Sequence, residues 1–94
     1  MRIYIDSANV EDIKLMIKRL PVDGVTTNPS LLAKEKNNPM KQLKAIKEVL
    51  EDHIELHAQV LSAHAEEMIK EAEYMREHLG ENLYIKVPVT PDGI

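Results

Sequence analysis

The chain has 94 residues, a formal net charge of −4, no cysteine, and tyrosine as its only aromatic residue type, at three positions. The lack of cysteine excludes disulfides, thiol catalysis and thiolate metal sites, and the mixed charges without a basic block argue against a nucleic-acid partner. The sequence shows no signal-peptide h-region and no apolar run of membrane length. We therefore expect one modest cytoplasmic domain over residues 1–94, built on aliphatic side chains and methionine.

The first third of the chain reads as a strand, a helix and a second strand. The strand run covers residues 2–6, and the helix follows over 9–20 with Asn9 as its predicted N-cap. Four apolar residues of this helix share one face, which predicts the side that packs on the core: Val10, Ile13, Ile17 and Leu20. Pro21 interrupts the pattern, and residues 24–28 form the second strand run.

The middle and end of the chain repeat the same alternation. Residues 30–36 fit a short helical turn, and Asn38-Pro39 is typical of the start of a longer helix that continues to Leu50. A third strand is predicted over 54–60, followed by a helix that Ser62 caps and Gly80 ends. The fourth strand is predicted over 83–89. Strands that alternate with helices predict an α/β fold with a parallel sheet and right-handed crossovers.

Two architectures fit this alternation, an open doubly wound sheet and a barrel. Strands of open parallel sheets are covered on both faces and tend to be apolar at every position. Here each strand is aliphatic at one parity and polar at the other; the third strand sets Leu56, Ala58 and Val60 against Glu55, His57 and Gln59. This pattern favours a (β/α)8 barrel whose polar side faces the lumen, with about four βα units in this chain.

Polar residues lie at or near the end of each predicted strand. Active sites of barrels lie at the carboxyl ends of the strands, so four side chains should converge at one rim: Asp6, Asn28, Gln59 and Lys86. A lysine within low-dielectric walls is a candidate nucleophile toward a carbonyl, giving a Schiff base. Asp6 is the candidate proton-transfer group, and Thr26, Asn28 and Gln59 could hold a polyol or a water.

Each of these residues also has a purely structural interpretation. Lys86 could be a solvent-exposed gatekeeper on an edge strand. The segment 26–30 could be a strand-to-helix turn with Ser30 as the cap, and Asp6-Ser7 could cap the first helix. His53, Glu55 and His57 share a parity that could suggest a metal site, but no fourth group is evident, so polar filling of the barrel or a surface position is the better interpretation. No metal or cofactor is predicted.

Four segments together resemble the transaldolase family, in its small branch that includes fructose-6-phosphate aldolase. They are YIDSANV, GVTTNPSLLAKE, AQV and IKVPVT, in order along the whole chain. The resemblance implies that Lys86 is the Schiff-base lysine, Asp6 the acid/base group, and Thr26 and Asn28 substrate-positioning groups. It places the water-organising position at Gln59, where glutamate is usual among transaldolases.

The glutamine favours an aldolase that acts on a keto-sugar phosphate or dihydroxyacetone, with transaldolase as the alternative. Family members are complete barrels of about 200 or more residues, so this sequence corresponds to the N-terminal half only. Such a half should expose two strand edges and its lumen face, so we expect a homo-oligomer. Two copies should pair edge to edge into an eight-stranded barrel or pack lumen to lumen. One alternative is a catalytically inactive half-barrel fragment that self-associates, and another is a packing in which a segment is swapped between chains.

Overall fold

The computed structural model describes residues 1–62, 64–80 and 82–87. Four parallel strands form one sheet in the order β1-β2-β3-β4, and helices connect them. In chain order the elements are β1 (Tyr4–Asp6), α1 (Val10–Arg19), β2 (Gly24–Thr26), α2 (Pro29–Lys34), α3 (Pro39–Val49), β3 (Glu55–Gln59), α4 (Ala65–Leu79) and β4 (Leu83–Lys86). This is the predicted α/β fold, and it matches the N-terminal part of a TIM barrel.

The two faces of the sheet differ as the alternation predicted. Val25, Leu56 and Ala58 point to the helix side and are fully buried. The residues between them on the same strands are partly or largely exposed, among them Tyr4, His57 and Tyr84. One face therefore carries the core beneath the helices, whereas the other face is polar and accessible.

Local signals in the sequence set the starts of α1 and α3. The Asn9 side chain accepts a hydrogen bond from the Asp12 backbone N–H at 2.9 Å and caps α1, and Asn38 caps α3 with Pro39 in its first turn. Both caps match the predictions. Side-chain oxygens at these positions satisfy backbone N–H groups that have no partner within the helix.

The start of α4 differs from its prediction. The N-cap position is His64 rather than Ser62, and the helix begins at Ala65 without a side-chain cap. Ser62 instead donates its hydroxyl to Glu71 at 2.6 Å, and the same carboxylate accepts the Leu61 and Ser62 backbone N–H groups. A carboxylate from within the helix therefore satisfies the loop that the serine was expected to serve.

The strands are shorter than the predicted runs. β1 starts at Tyr4 and β2 ends at Thr26, because Thr27 and Asn28 already belong to the turn into α2. The described part of the fourth run ends at Val87, and the predicted continuation to residue 89 lies outside the described residues.

Beside β4 the described residues cover the helix-side face of the sheet only in part. A cavity of about 630 Å³ lies between β4 and α4, and its lining is mostly apolar: Ala65, Met68, Ile69, Ala72, Glu73, Arg76, Ile85 and Val87. Ile69 is 59% exposed there.

None of the helices formed by the described residues combines the length and the apolarity that crossing a membrane requires.

Candidate active site

A cavity of about 280 Å³ lies on the polar face near the carboxyl ends of the strands. All five predicted site residues line it, together with three neighbours: Asp6, Thr26, Thr27, Asn28, His57, Ala58, Gln59 and Lys86. The parallel register explains this convergence, because carboxyl ends of parallel strands meet at one edge of a sheet.

Strand register arranges these residues in rows. Asp6 pairs with Thr26, and Thr26 pairs with His57 on the next strand. Gln59 pairs with Lys86, two residues nearer the carboxyl ends of the strands and on the same face of the sheet. Neighbouring strands lie about 4.8 Å apart, so the Gln59 amide and the lysine project from adjacent backbones.

Asn28 combines the two interpretations of its segment. Its side chain accepts a hydrogen bond from the Leu31 N–H at 2.9 Å, which makes Asn28 the N-cap of α2 with Pro29 in the first turn. The turn interpretation is thus confirmed, but the cap is Asn28 and Ser30 lies inside the helix. The same asparagine also lines the cavity.

Thr26, the last residue of β2, and Thr27, the first residue of the turn after it, form hydrogen bonds to the neighbouring strands. The Thr27 hydroxyl and backbone N–H both donate to the His57 carbonyl oxygen, each at 2.9 Å. The Thr26 hydroxyl lies 3.4 Å from the Ile5 carbonyl oxygen, to which it donates. These bonds hold the end of β2 against β1 and β3, and they thereby position Asn28, which follows directly.

Asp6 is not a helix cap, because Asn9 has that position. The Ser7 hydroxyl accepts from the Asn9 N–H at 3.1 Å and shapes the loop after β1. Asp6 itself is exposed and borders the cavity. Its carboxylate therefore faces the space that Lys86 also lines.

Lys86 is the last residue of β4 and is exposed. Within the four-stranded sheet β4 is an edge strand, as the gatekeeper interpretation expected, and Lys86 also lines the cavity with Asp6, as the catalytic interpretation expected. The low-dielectric walls predicted around the amine are not formed by the described residues alone.

His57 lines the cavity, although it was interpreted above only as barrel filling or a surface residue. Its Nε2 lies 2.8 Å from Glu55 Oε1, and its ring stacks on Tyr84 at 4.8 Å between centroids and meets Tyr4 edge-on at 5.4 Å. The sequence signal was present, because His57 precedes Gln59 by two residues and so points to the same face.

Glu55 anchors this aromatic group. It accepts the Tyr4 hydroxyl hydrogen bond at 3.0 Å and lies 3.5 Å from Arg2. The hydrogen bond from His57 holds the pKa of Glu55 below its ordinary value, and the hydrogen bond from Tyr4 and the positive charge of Arg2 add to this effect. The carboxylate is therefore ionised at neutral pH.

A metal site was considered above at His53, Glu55 and His57. His53 pairs with Glu51 at 3.5 Å, outside β3 and apart from His57. Among the residues that the structure describes, no three His, Cys, Asp or Glu side chains are grouped as metal ligands.

The fold and the cavity define a class: the N-terminal part of an α/β barrel with an amine, a carboxylate and amides at its carboxyl-end rim. A model of the family described as transaldolase/fructose-6-phosphate aldolase matches residues 3–94. The chain belongs to that family.

The relatives of this chain include probable transaldolases and a probable fructose-6-phosphate aldolase. The chain is 45% identical over 94 residues to a probable transaldolase of Exiguobacterium sibiricum and 39% identical to one of Nitrosopumilus maritimus. It is 35% identical over 95 residues to a probable fructose-6-phosphate aldolase of Streptococcus pneumoniae. All of this chain is covered in each case, but only 43%, 41% and 43% of the respective relatives. The chain thus spans about two fifths of the length of these relatives.

Proposed function

We propose that this chain carries the lysine-bearing part of a class I aldolase site that cleaves or forms a C–C bond of a keto-sugar phosphate. The observation that supports this proposal most is that Lys86, Asp6 and Gln59 line the same cavity. The amine, the carboxylate and the amide are the groups that imine-based aldol chemistry requires.

In the proposed reaction the neutral Lys86 amine adds to the ketone carbon C2 of the sugar. The carbinolamine then takes up a proton on its hydroxyl and loses water, which leaves an iminium between Nζ and C2. The positive nitrogen becomes the acceptor for the electrons of the bond to be broken.

Cleavage follows at the C3–C4 bond. Asp6 as carboxylate accepts the proton of the C4 hydroxyl, C4 leaves as an aldehyde, and the bonding electrons move to form an enamine on C2 and C3. Protonation at C3 regenerates the iminium, and addition of water releases dihydroxyacetone and restores the free lysine. Thr26 and Asn28 border the path of the sugar hydroxyls.

Gln59 favours aldolase over transaldolase in this scheme. A glutamine amide can hold a water by hydrogen bonds but cannot exchange a proton with it as a glutamate can. Its position beside Lys86 suits a water that hydrolyses the iminium, which ends the reaction as an aldolase. Passing the enamine to a second aldehyde instead would make the protein a transaldolase.

Product analysis separates the two activities. The chain is incubated with fructose 6-phosphate, either alone or with erythrose 4-phosphate. Release of free dihydroxyacetone at the same rate in both cases supports an aldolase, whereas transfer of the three-carbon unit to erythrose 4-phosphate in place of its release supports a transaldolase. A Gln59→Glu variant should shift the balance toward transfer.

The second candidate is a half barrel that associates with a second copy of itself. Two observations favour it: β1 and β4 are edge strands of the described sheet, and the mostly apolar cavity beside β4 is open. Two four-stranded sheets supply the eight strands of a barrel and would enclose the polar faces. Light scattering at micromolar concentration should give twice the chain mass; a monomer would rule out this association.

A further inference from the structure

We propose that His57 is a specificity-determining residue of the Lys86 cavity, binding a hydroxyl group of a ketose that extends beyond the reacting carbonyl. This inference rests on the proposed function for the identity of the ligand, but it concerns a residue to which that reaction assigns no part.

Three contacts hold the imidazole in one orientation. Nε2 is bound to Glu55 Oε1 at 2.8 Å, one ring face stacks on Tyr84 at an interplanar angle of 14°, and Tyr4 meets the ring at 88°. Ring contacts of this kind are favourable at centroid separations of about 4.5–7 Å. An imidazole fixed on three sides is preorganised, and less entropy is lost when it binds a ligand.

Glu55 determines which ring nitrogen is left for a ligand. Its ionised carboxylate can only accept, so Nε2 carries the proton of that hydrogen bond. Nδ1 makes no hydrogen bond to any of the described residues. The His57 side chain is 34% exposed and lines the cavity, so a ligand in the cavity can reach it.

The row in which His57 lies selects the length of the ligand. His57 is two residues before Gln59, the Cα partner of Lys86. Two residues of a strand span about 6.6 Å, so the backbone of His57 lies that much nearer the amino ends of the strands than the row of Gln59 and Lys86. A three-carbon ketone bound to Lys86 has hydroxyls only next to the carbonyl, whereas a six-carbon ketose carries further hydroxyls and is long enough to reach the row of His57.

Borohydride trapping tests the inference with two ketones of different length. The half-saturation concentrations for adduct formation are measured with dihydroxyacetone and with fructose 6-phosphate, in the unmodified chain and in His57→Phe, which keeps an aromatic ring but lacks the ring nitrogens. The expected result is a rise of about tenfold in the ratio of the fructose 6-phosphate value to the dihydroxyacetone value, the loss of one good hydrogen bond. An unchanged ratio overturns the inference.

Two control variants separate positioning from general damage. His53→Phe alters an exposed histidine outside the cavity and should leave the ratio unchanged. Glu55→Gln keeps the size of the side chain but removes the charge that orients the ring, so the ratio should rise less than in His57→Phe. A ratio in Glu55→Gln equal to that of the unmodified chain, or a change in His53→Phe as large as that in His57→Phe, would contradict the role.

A second measurement does not depend on the lysine chemistry. In the Lys86→Ala chain with ¹⁵N-labelled histidine, titration with fructose 6-phosphate should shift the ring nitrogens of His57 more than those of the other three histidines. No shift at His57 overturns the inference. A shift at His57 together with no borohydride adduct in the unmodified chain would instead refute the proposed function and leave the His57 site in place.

Discussion

The two faces of the sheet are built from alternate residues of the same strands, yet they reach different states. On the helix side Leu56 and Val25 are fully buried under the helices. On the other side Tyr84 is 50% exposed and Lys86 stands in the open. The chain thus completes its core on one face and presents its candidate chemistry on a face that nothing in the described residues covers.

The face that drives folding is therefore different from the face that carries the candidate reactive groups. Hydrophobic burial on the helix face supplies the main driving force for the fold. Removal of an amine from water favours its neutral, nucleophilic form. Any second layer over the polar face should therefore change the chemistry more than it changes the fold.

The largest effect on stability is expected at Leu56. Leu56→Ala leaves a cavity in the centre of the helix-side core and should lower the free energy of unfolding by about 3 kcal/mol. The matched change on the open face of the same strand, Gln59→Ala, should cost less than about 1 kcal/mol. Urea unfolding followed by circular dichroism measures both, and equal losses would mean that the two faces are not distinct.

A steric test concerns the open face at Gly24. A Cβ added there would come 2.6 Å from Tyr4 Cε2 and 3.2 Å from the Glu55 carbonyl oxygen. Gly24→Ala should displace the tyrosine ring and cost about 1–2 kcal/mol. In a Tyr4→Ala background the same change should cost much less, and a double-mutant cycle by urea unfolding that shows no coupling would contradict this packing.

The two asparagine caps offer a comparison between a structural and a combined role. Asn28 and Asn38 each cap a helix that has proline in its first turn, but only Asn28 lines the cavity by Lys86. Changing either to alanine should cost about 1 kcal/mol in urea unfolding. Only Asn28→Ala should also weaken trapping of fructose 6-phosphate; equal trapping in the two variants would reduce Asn28 to a cap.

The smallest expected effect is the pH dependence contributed by Glu55. Its pKa lies below the ordinary value of 4.5 because of the His57 hydrogen bond, so its contribution to stability is present above pH 4.5 and is lost as the pH falls through the lowered pKa. The unmodified chain should be more stable than Glu55→Gln at pH 7, and the difference should shrink toward pH 3. A difference that grew on acidification would have the wrong sign.

Sequence periodicity was sufficient for the layout of the fold. Alternation of Leu56 and Ala58 with His57 and Gln59 predicted which face packs under the helices, because side chains along a strand alternate. The asparagine-proline pair at residues 38 and 39 predicted the start of α3, because that signal is local.

Other features depend on contacts between distant residues and could not be predicted locally. Ser62 resembles a cap, but Glu71 reaches it from the second turn of α4. The convergence of Asp6 and Lys86 followed from strand parity alone, whereas the orientation of His57 depends on Tyr84 from another strand. The exposure of Lys86 agrees with the gatekeeper interpretation, whereas the low-dielectric walls of the catalytic interpretation require residues beyond those described.

The most direct test of the account is borohydride reduction of the 94-residue chain in the presence of dihydroxyacetone, followed by intact mass measurement, with Lys86→Ala as the control. The account predicts a mass increase of one reduced dihydroxyacetone adduct in the unmodified chain and none in the variant. A folded chain without an adduct, or an adduct of equal yield in Lys86→Ala, would contradict the assignment of Lys86 as the Schiff-base lysine of this chain.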